Sequence, residues 1–233
     1  MNRADRFRTA GEFVELLRLA VHEREVPAND RVRASLSCFG IAQEHHHAIV
    51  VLIEHHLYAS TFALLRIAFE AFIRGAWLAR CADDDQVRRF LEGSEPPKIG
   101  RLLHSLEQTP AFSERVLSSI KDQNWIAMCA YTHTGGLHVQ RWNTSQAIEP
   151  SYDPQEIESV LFFAEIVAAL SVLGFADIVD DDALAERILK ESRYGPNEAQ
   201  AQQCAGSDSQ KRCAFARGST GALGQQQAAT GDH

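Results

Sequence analysis

The signatures that usually announce an activity are missing from these 233 residues. There is no glycine-rich phosphate loop, no Gly-x-Ser-x-Gly elbow, no cysteine pair at zinc spacing and no helix-turn-helix pattern. Most common enzyme classes go with them. No segment alternates apolar and polar residues over any length, so strands are not expected. No uninterrupted apolar run reaches the roughly 18 residues of a membrane span. The N-terminal MNRADRFRTAGEF carries charges without an apolar signal core behind them. No membrane association is expected. Positive charge is also short: 23 Lys and Arg stand against 31 Asp and Glu, a formal charge of −8. That argues against a broad surface for DNA or other nucleic acid but is compatible with a local basic pocket. The five cysteines are odd in number and not closely paired, which fits reduced thiols and a cytoplasmic location.

What is present is helical periodicity. The chain is organised around Tyr58 to Cys81. On a helix, Phe62, Leu65, Phe69, Phe72, Ile73 and Ala76 form one apolar face, and Leu64, Ile67 and Leu78 fall on the other side. A helix apolar nearly all round is normally surrounded by other helices. Ahead of it, Thr9 and Glu12 read as a capping box for a helix running to about Arg24. Asn29 or Asp30 caps a second helix whose apolar face is Val32, Leu36, Phe39, Val50, Ile53 and Leu57, with His46 on the same side. No glycine or proline separates this helix from the central one. A turn is nevertheless expected near Leu57 to Ser60, capped by Ser60 or Thr61, because one helix of about 50 residues would far exceed the usual length.

Further on, Asp83 opens a short helix closed by Gly93, and residues 98–108 form another. Residues 111–131 read as one long helix with Phe112, Val116, Ile120, Ile126 or Ala127, and Ala130 inward. The stretch 133–153 reads as irregular. Asp153-Pro154 begins a strongly apolar helix to about Val179, and residues 181–193 form the last. From Tyr194 the composition shifts to Gly, Gln, Ala and Ser without apolar periodicity. The expected fold is therefore all-α: a bundle of about six to seven helices around a buried central helix (58–81). Residues 1–193 form a single domain, and 194–233 form a disordered, low-complexity tail.

Three groups of residues could carry chemistry. Arg66, Glu70 and Arg74 recur every four residues and so share one stripe of the central helix. Arginine forks suit phosphate and carboxylate geometry, although a self-contained ion-pair ladder would use the same three residues. The segment YTHTGGLHVQRW (131–142) gathers Tyr131, His133, Gly135, His138 and Arg141 just past a helix end. Loops of this kind concentrate function, while a glycine cap with satisfied histidines is the plainer alternative. The third group is His45, His46, His47, His55 and His56. Glu44 and His47 have the Glu-x-x-His spacing of di-iron bundles, but no second such motif exists, so no metal and no cofactor are expected.

The run LYASTFALLRIAFEAFIRGAWLA, followed about 50 residues later by YTHTGGLHVQRW, resembles an uncharacterised family of bacterial all-helical proteins. Its members pair an Arg-x-x-x-Glu central helix with an aromatic-Thr-His-Thr-Gly loop. The resemblance spans about residues 30 to 180. It implies that Arg66, Glu70, Tyr131, His133 and Gly135 belong to one site, and it brings no activity. A more distant similarity is to HEPN bundles, many of them RNA-cleaving toxins or defence proteins. Arg18–His22 and Arg101–His104 are too closely spaced for the HEPN signature.

The leading expectation is one polar pocket for an anionic ligand, RNA phosphate among the candidates. Arg66, Arg74 and Arg141 would hold the anion, with Tyr131 and Gly135 beside it. Glu70 would orient an arginine and contact His133, and His133 or His138 would transfer protons. The competing expectation is a non-enzymatic interaction protein that pairs as a homodimer, and a metal-binding bundle comes third. Because the tail cannot bury enough apolar area to offset its chain entropy, a chain cut after residue 194 should keep the melting temperature and helical content of the full chain. A fall of several degrees would show that the tail packs.

Overall fold

The computed structural model describes residues 3–192, so the expected tail lies outside the described residues. Nine α-helices occur among them: α1 (Arg3–Val21), α2 (Asp30–Glu54), α3 (Tyr58–Arg80), α4 (Asp84–Leu91), α5 (Ile99–Leu106), α6 (Val116–Thr132), α7 (Gly136–Gln140), α8 (Pro154–Ile178) and α9 (Asp182–Glu191). A 3-10 turn, Pro110–Phe112, precedes α6. The architecture is all-α, with no strand among the described residues beyond an isolated bridge between Asn143 and Ile148. The helix that no expected segment accounts for is α7, inside a stretch expected to be irregular.

Local chemistry explains most boundaries. Asn29 accepts from the Val32 amide at 2.9 Å and caps α2. Asp83 and Gln86 form a reciprocal capping box on α4, and Asp153 followed by Pro154 starts α8. Three boundaries differ from expectation. Thr9 does not cap α1; it lies six residues inside the helix, and its hydroxyl donates back to the Asp5 carbonyl. The same helix stops at Val21, before a left-handed Glu23 (φ 54°). The turn between α2 and α3 occupies residues 55–57, with His56 left-handed at φ 60°. There Thr61 bonds back to the Leu57 carbonyl instead of capping α3, and Leu57 is exposed rather than inward.

The largest correction concerns α6. A left-handed Arg115 separates it from the 3-10 turn. Its N-terminus is capped from α5's side of the chain: buried Glu107 accepts from the Ser118 amide (2.9 Å) and hydroxyl (2.8 Å). This offset rotates the helix so that Leu117, Ala127, Met128 and Tyr131 face inward, while Val116 and Ile126 are exposed.

α3 is the hub. Phe62, Leu65, Phe69, Phe72, Ile73 and Ala76 are all buried, packed mainly on α2, α8, α6 and α5. α2 and α8 approach closely because Phe39 is wedged between two glycines. A Cβ on Gly75 would lie 2.7 Å from the Phe39 ring, and one on Gly174 would lie 2.6 Å away. α8 is long and apolar enough to cross a membrane by length and composition alone, with an 18-residue window of mean hydropathy 2.1. In this fold it is a core helix, and its Glu165 is nearly fully buried against Arg6 of α1. Arg6 donates to both Glu165 oxygens, at 2.8 and 3.0 Å, and to Glu158 at 2.5 Å. Residues of that kind are tolerated inside only when paired.

His46 lies in the same region, buried and edge-on to Phe13. Its Nε2 finds no hydrogen-bond partner among the described residues. Burial, assisted by the neighbouring His47 and Arg6, pushes its pKa down to about 3. The unfolded chain takes up this proton near pH 6.5 and the folded chain does not until far lower. Stability contributed by neutral His46 is thus lost as pH falls from about 6.5 toward 3, at up to about 1.4 kcal/mol per pH unit. Urea unfolding of the wild type between pH 7 and pH 5 should show a steeper loss than His46→Leu. Equal slopes would mean that His46 is hydrated or protonated in the fold.

Candidate functional site

Three charged residues on a single helix side need somewhere to go when that helix is otherwise covered. Successive i,i+4 positions advance by about 40° round a helix, so Arg66, Glu70 and Arg74 occupy one sector of α3. They lie at the edge of the core, with side chains 23%, 14% and 30% exposed. Glu70 is the centre of the ladder. It accepts from Arg66 Nε at 2.7 Å and from Arg74 Nη2 at 2.6 Å, one oxygen each.

The loop beyond α6 reaches this ladder. Arg66 Nη1 donates to His133 Nε2 at 2.7 Å. Arginine can only donate, so Nε2 accepts and the ring proton sits on Nδ1, on the other side of the imidazole. The neighbour of His133 is thus Arg66 and not Glu70, as the sequence had suggested. Glu70 has both oxygens engaged by arginines already. Thr132 helps to hold the loop in place, because its hydroxyl lies within hydrogen-bonding distance of the Met128 carbonyl on its own helix (2.9 Å) and the Ala63 carbonyl on α3 (3.2 Å).

Two further residues join from α6. The Arg66 guanidinium lies 4.8 Å from the centroid of the Trp125 ring, and Lys121 Nζ lies 5.8 Å from it. Arg66 is therefore held three ways, by a carboxylate, an imidazole and an indole. Neither Trp125 nor Lys121 was singled out from sequence. Their i,i+4 spacing was legible, but which face of α3 they would meet depends on the rotation of α6.

The remaining expected site residues go elsewhere. Tyr131 lies two positions from His133, about 200° round the helix, and so turns away from it. Its ring packs in the core, 4.8 Å from that of Phe62, and burial pushes its hydroxyl up to about 12. His138 is buried too. Its Nδ1 donates to the Tyr131 carbonyl at 2.9 Å, and its Nε2 has no partner among the described residues. Arg141 forms two hydrogen bonds to Glu156 of α8, through Nε at 2.9 Å and through Nη2. Tyr131, His138 and Arg141 thus form a second polar group that fastens the loop to α8. Gly135 serves the turn: its amide donates to the Ala130 carbonyl at 2.6 Å, and a Cβ there would meet Ala130 Cα at 3.1 Å.

Of the five clustered histidines, only His46 is buried, and Glu44 and His47 are exposed on α2. Among the described residues no group of three or more His, Cys, Asp or Glu is placed to hold a metal ion.

The model of a family of unknown function, DUF6988, matches residues 39–194. No curated protein and no solved structure matches the chain. The matched segment contains every residue of both polar groups.

Glu70→Gln should lower stability by about 1–2 kcal/mol, between the values for exposed and fully buried pairs. In wild type, nitrogen-resolved NMR of the imidazoles should show His133 as the Nδ1–H tautomer, and Arg66→Met should release that preference. An unchanged tautomer ratio in Arg66→Met would separate the loop from the ladder.

Proposed function

The chain belongs to the DUF6988 family, and we propose that it binds a small anionic group, phosphate or carboxylate, at the Arg66–Glu70–Arg74–His133 site. The observation that carries this reading is the 2.7 Å contact between Arg66 of α3 and His133 beyond α6. It joins two segments 67 residues apart into one polar patch. Two donors there are left over. Arg74 gives one nitrogen to Glu70 and, among the described residues, makes no other side-chain hydrogen bond. His133 presents its Nδ1–H away from Arg66. Guanidinium forks and imidazole N–H groups both suit the oxygens of a phosphate or carboxylate, and Glu70 ties the Arg74 fork to the Arg66–His133 pair. Glu70 and Trp125 hold Arg66 in place, so less side-chain entropy is lost when an anion arrives.

Binding is favoured over RNA cleavage by the same geometry. Metal-free phosphodiester cleavage calls for a base and an acid, both within reach of the substrate. His133 is exposed and could serve as one of them. His138, the other candidate, is packed against the Tyr131 carbonyl on the far side of the loop, and Arg141 is committed to Glu156. The anion would therefore be held and not turned over at this patch. A reducing compartment suits the protein: Cys38, Cys81 and Cys129 are free thiols, and burial pushes Cys38 up to about 11, which leaves it unreactive.

Titration with inorganic phosphate, followed by the amide and imidazole NMR signals of the full chain, tests the proposal. His133 and residues around Arg74 should shift saturably, and Arg74→Met should weaken binding about tenfold, the size of one charge-assisted hydrogen bond. Shifts scattered over the surface, or an Arg74→Met titration identical to wild type, would refute it.

A further inference from the structure

A separate cleft lies where α3, α4 and α5 meet. It measures about 400 Å³ and is lined by Trp77, Phe90, Pro96, Pro97, Arg89 and Arg101. That volume lies within the usual range of small-molecule sites. Its wall is built by the α4–α5 connection. α4 closes on a left-handed Gly93 (φ 91°), with the Ser94 amide donating to the Arg89 carbonyl at 2.9 Å. Pro96 and Pro97 then carry the chain to α5 in a stiff segment without N–H groups.

The donors and acceptors facing this space are unequal. Among the described residues neither Arg89 nor Arg101 makes an ion pair or a side-chain hydrogen bond, unlike Arg88 beside it, which pairs with Asp85. Trp77 is only 4% exposed, and its indole N–H makes no hydrogen bond among the described residues. Gln86 uses its amide oxygen on the Asp83 backbone, which leaves its N–H2 as a donor. Against these donors stands one lining carboxylate, Glu95. Two guanidinium forks in a cleft also lined by Trp77 and Phe90 favour a ligand that is flat, acceptor-rich and negatively charged.

We propose that this cleft is a second binding site, for a small planar organic anion held by Arg89 and Arg101 against Trp77 and Phe90. It is distinct from the Arg66–His133 patch. None of Arg66, Glu70, Arg74 or His133 lines the cleft, although Trp77 follows Arg74 by three residues on α3. Glu95 at the rim disfavours ligands with more than one strongly anionic end. The apolar floor disfavours bare inorganic ions, which gain nothing from ring contact.

The test is titration of 1-naphthoate into the full chain, read from the indole N–H signal of Trp77 and by calorimetry. Saturable binding is expected, with Arg89→Met and Arg101→Met each weakening it about tenfold. Neutral 1-naphthylmethanol should bind correspondingly worse. Both arginines are on the surface, so these variants should fold, which circular dichroism would verify. Arg74→Met and His133→Ala should leave naphthoate binding unchanged, whatever they do to phosphate. Equal affinity for naphthoate and naphthylmethanol would overturn the proposal. So would binding that follows Arg74 and His133 instead of Arg89 and Arg101, or no saturable binding at millimolar naphthoate.

Discussion

Glu70 sits between Arg66 and Arg74 because α3 has only one side on which charge can be held. The other sides of the helix are taken by α2, α8, α5 and α6, whose apolar faces converge on Phe62, Leu65, Phe69, Phe72 and Ile73. A lone arginine at the margin of such a core would lose part of its hydration without return. Two arginines sharing one carboxylate leave a net positive charge, and the surroundings answer it: an imidazole nitrogen and an indole face both turn toward Arg66. The placement of α6 and of the loop after it follows from that demand as much as from apolar packing.

The molecule contains a second ion-pair system for comparison. Arg6 and Glu165 are nearly inaccessible, and all three guanidinium nitrogens of Arg6 are used, on Glu165 and Glu158. A pair of that kind offers nothing to a ligand, because breaking it would strand a charge in the core at a cost of about 3–5 kcal/mol. Its effect is to fasten α1 to α8. The ladder on α3 is half-buried, and Arg74 has donors to spare. Both systems would be noted simply as ion pairs. Burial and the count of unused donors separate the one that holds the fold from the one that can accept a guest.

Much of the helical layout was legible in the sequence because its signals are local. Asn29, Asp83 and Asp153 name their helix starts through side-chain oxygens. The apolar face of α3 needs only its own spacing. The errors fell where a distant residue decides the local geometry. Glu107 sets the start of α6 from outside the helix. That shift turns the expected Val116 outward and brings Leu117 and Met128 in, and of the alternatives Ile126 and Ala127 it is Ala127 that is buried. The buried Arg6–Glu165 pair could not be foreseen either, since 159 residues separate its members and no spacing rule connects them.

The site shows the same division. That Arg66, Glu70 and Arg74 form a ladder follows from i,i+4 geometry, and the loop containing His133 was identified from composition. The sequence grouped Tyr131, His133, His138 and Arg141 because they are neighbours in the chain, yet the fold divides them between two sides of one short segment. Helical rotation sends Tyr131 inward when His133 faces α3. The Tyr131 carbonyl lies in the last turn of α6, where no helical amide claims it, so it receives His138, and Arg141 pairs with Glu156. The buried half of the loop thus serves as an anchor for the exposed half. His133 can stay at a fixed distance from Arg66 because Tyr131, His138 and Arg141 are not available to do anything else.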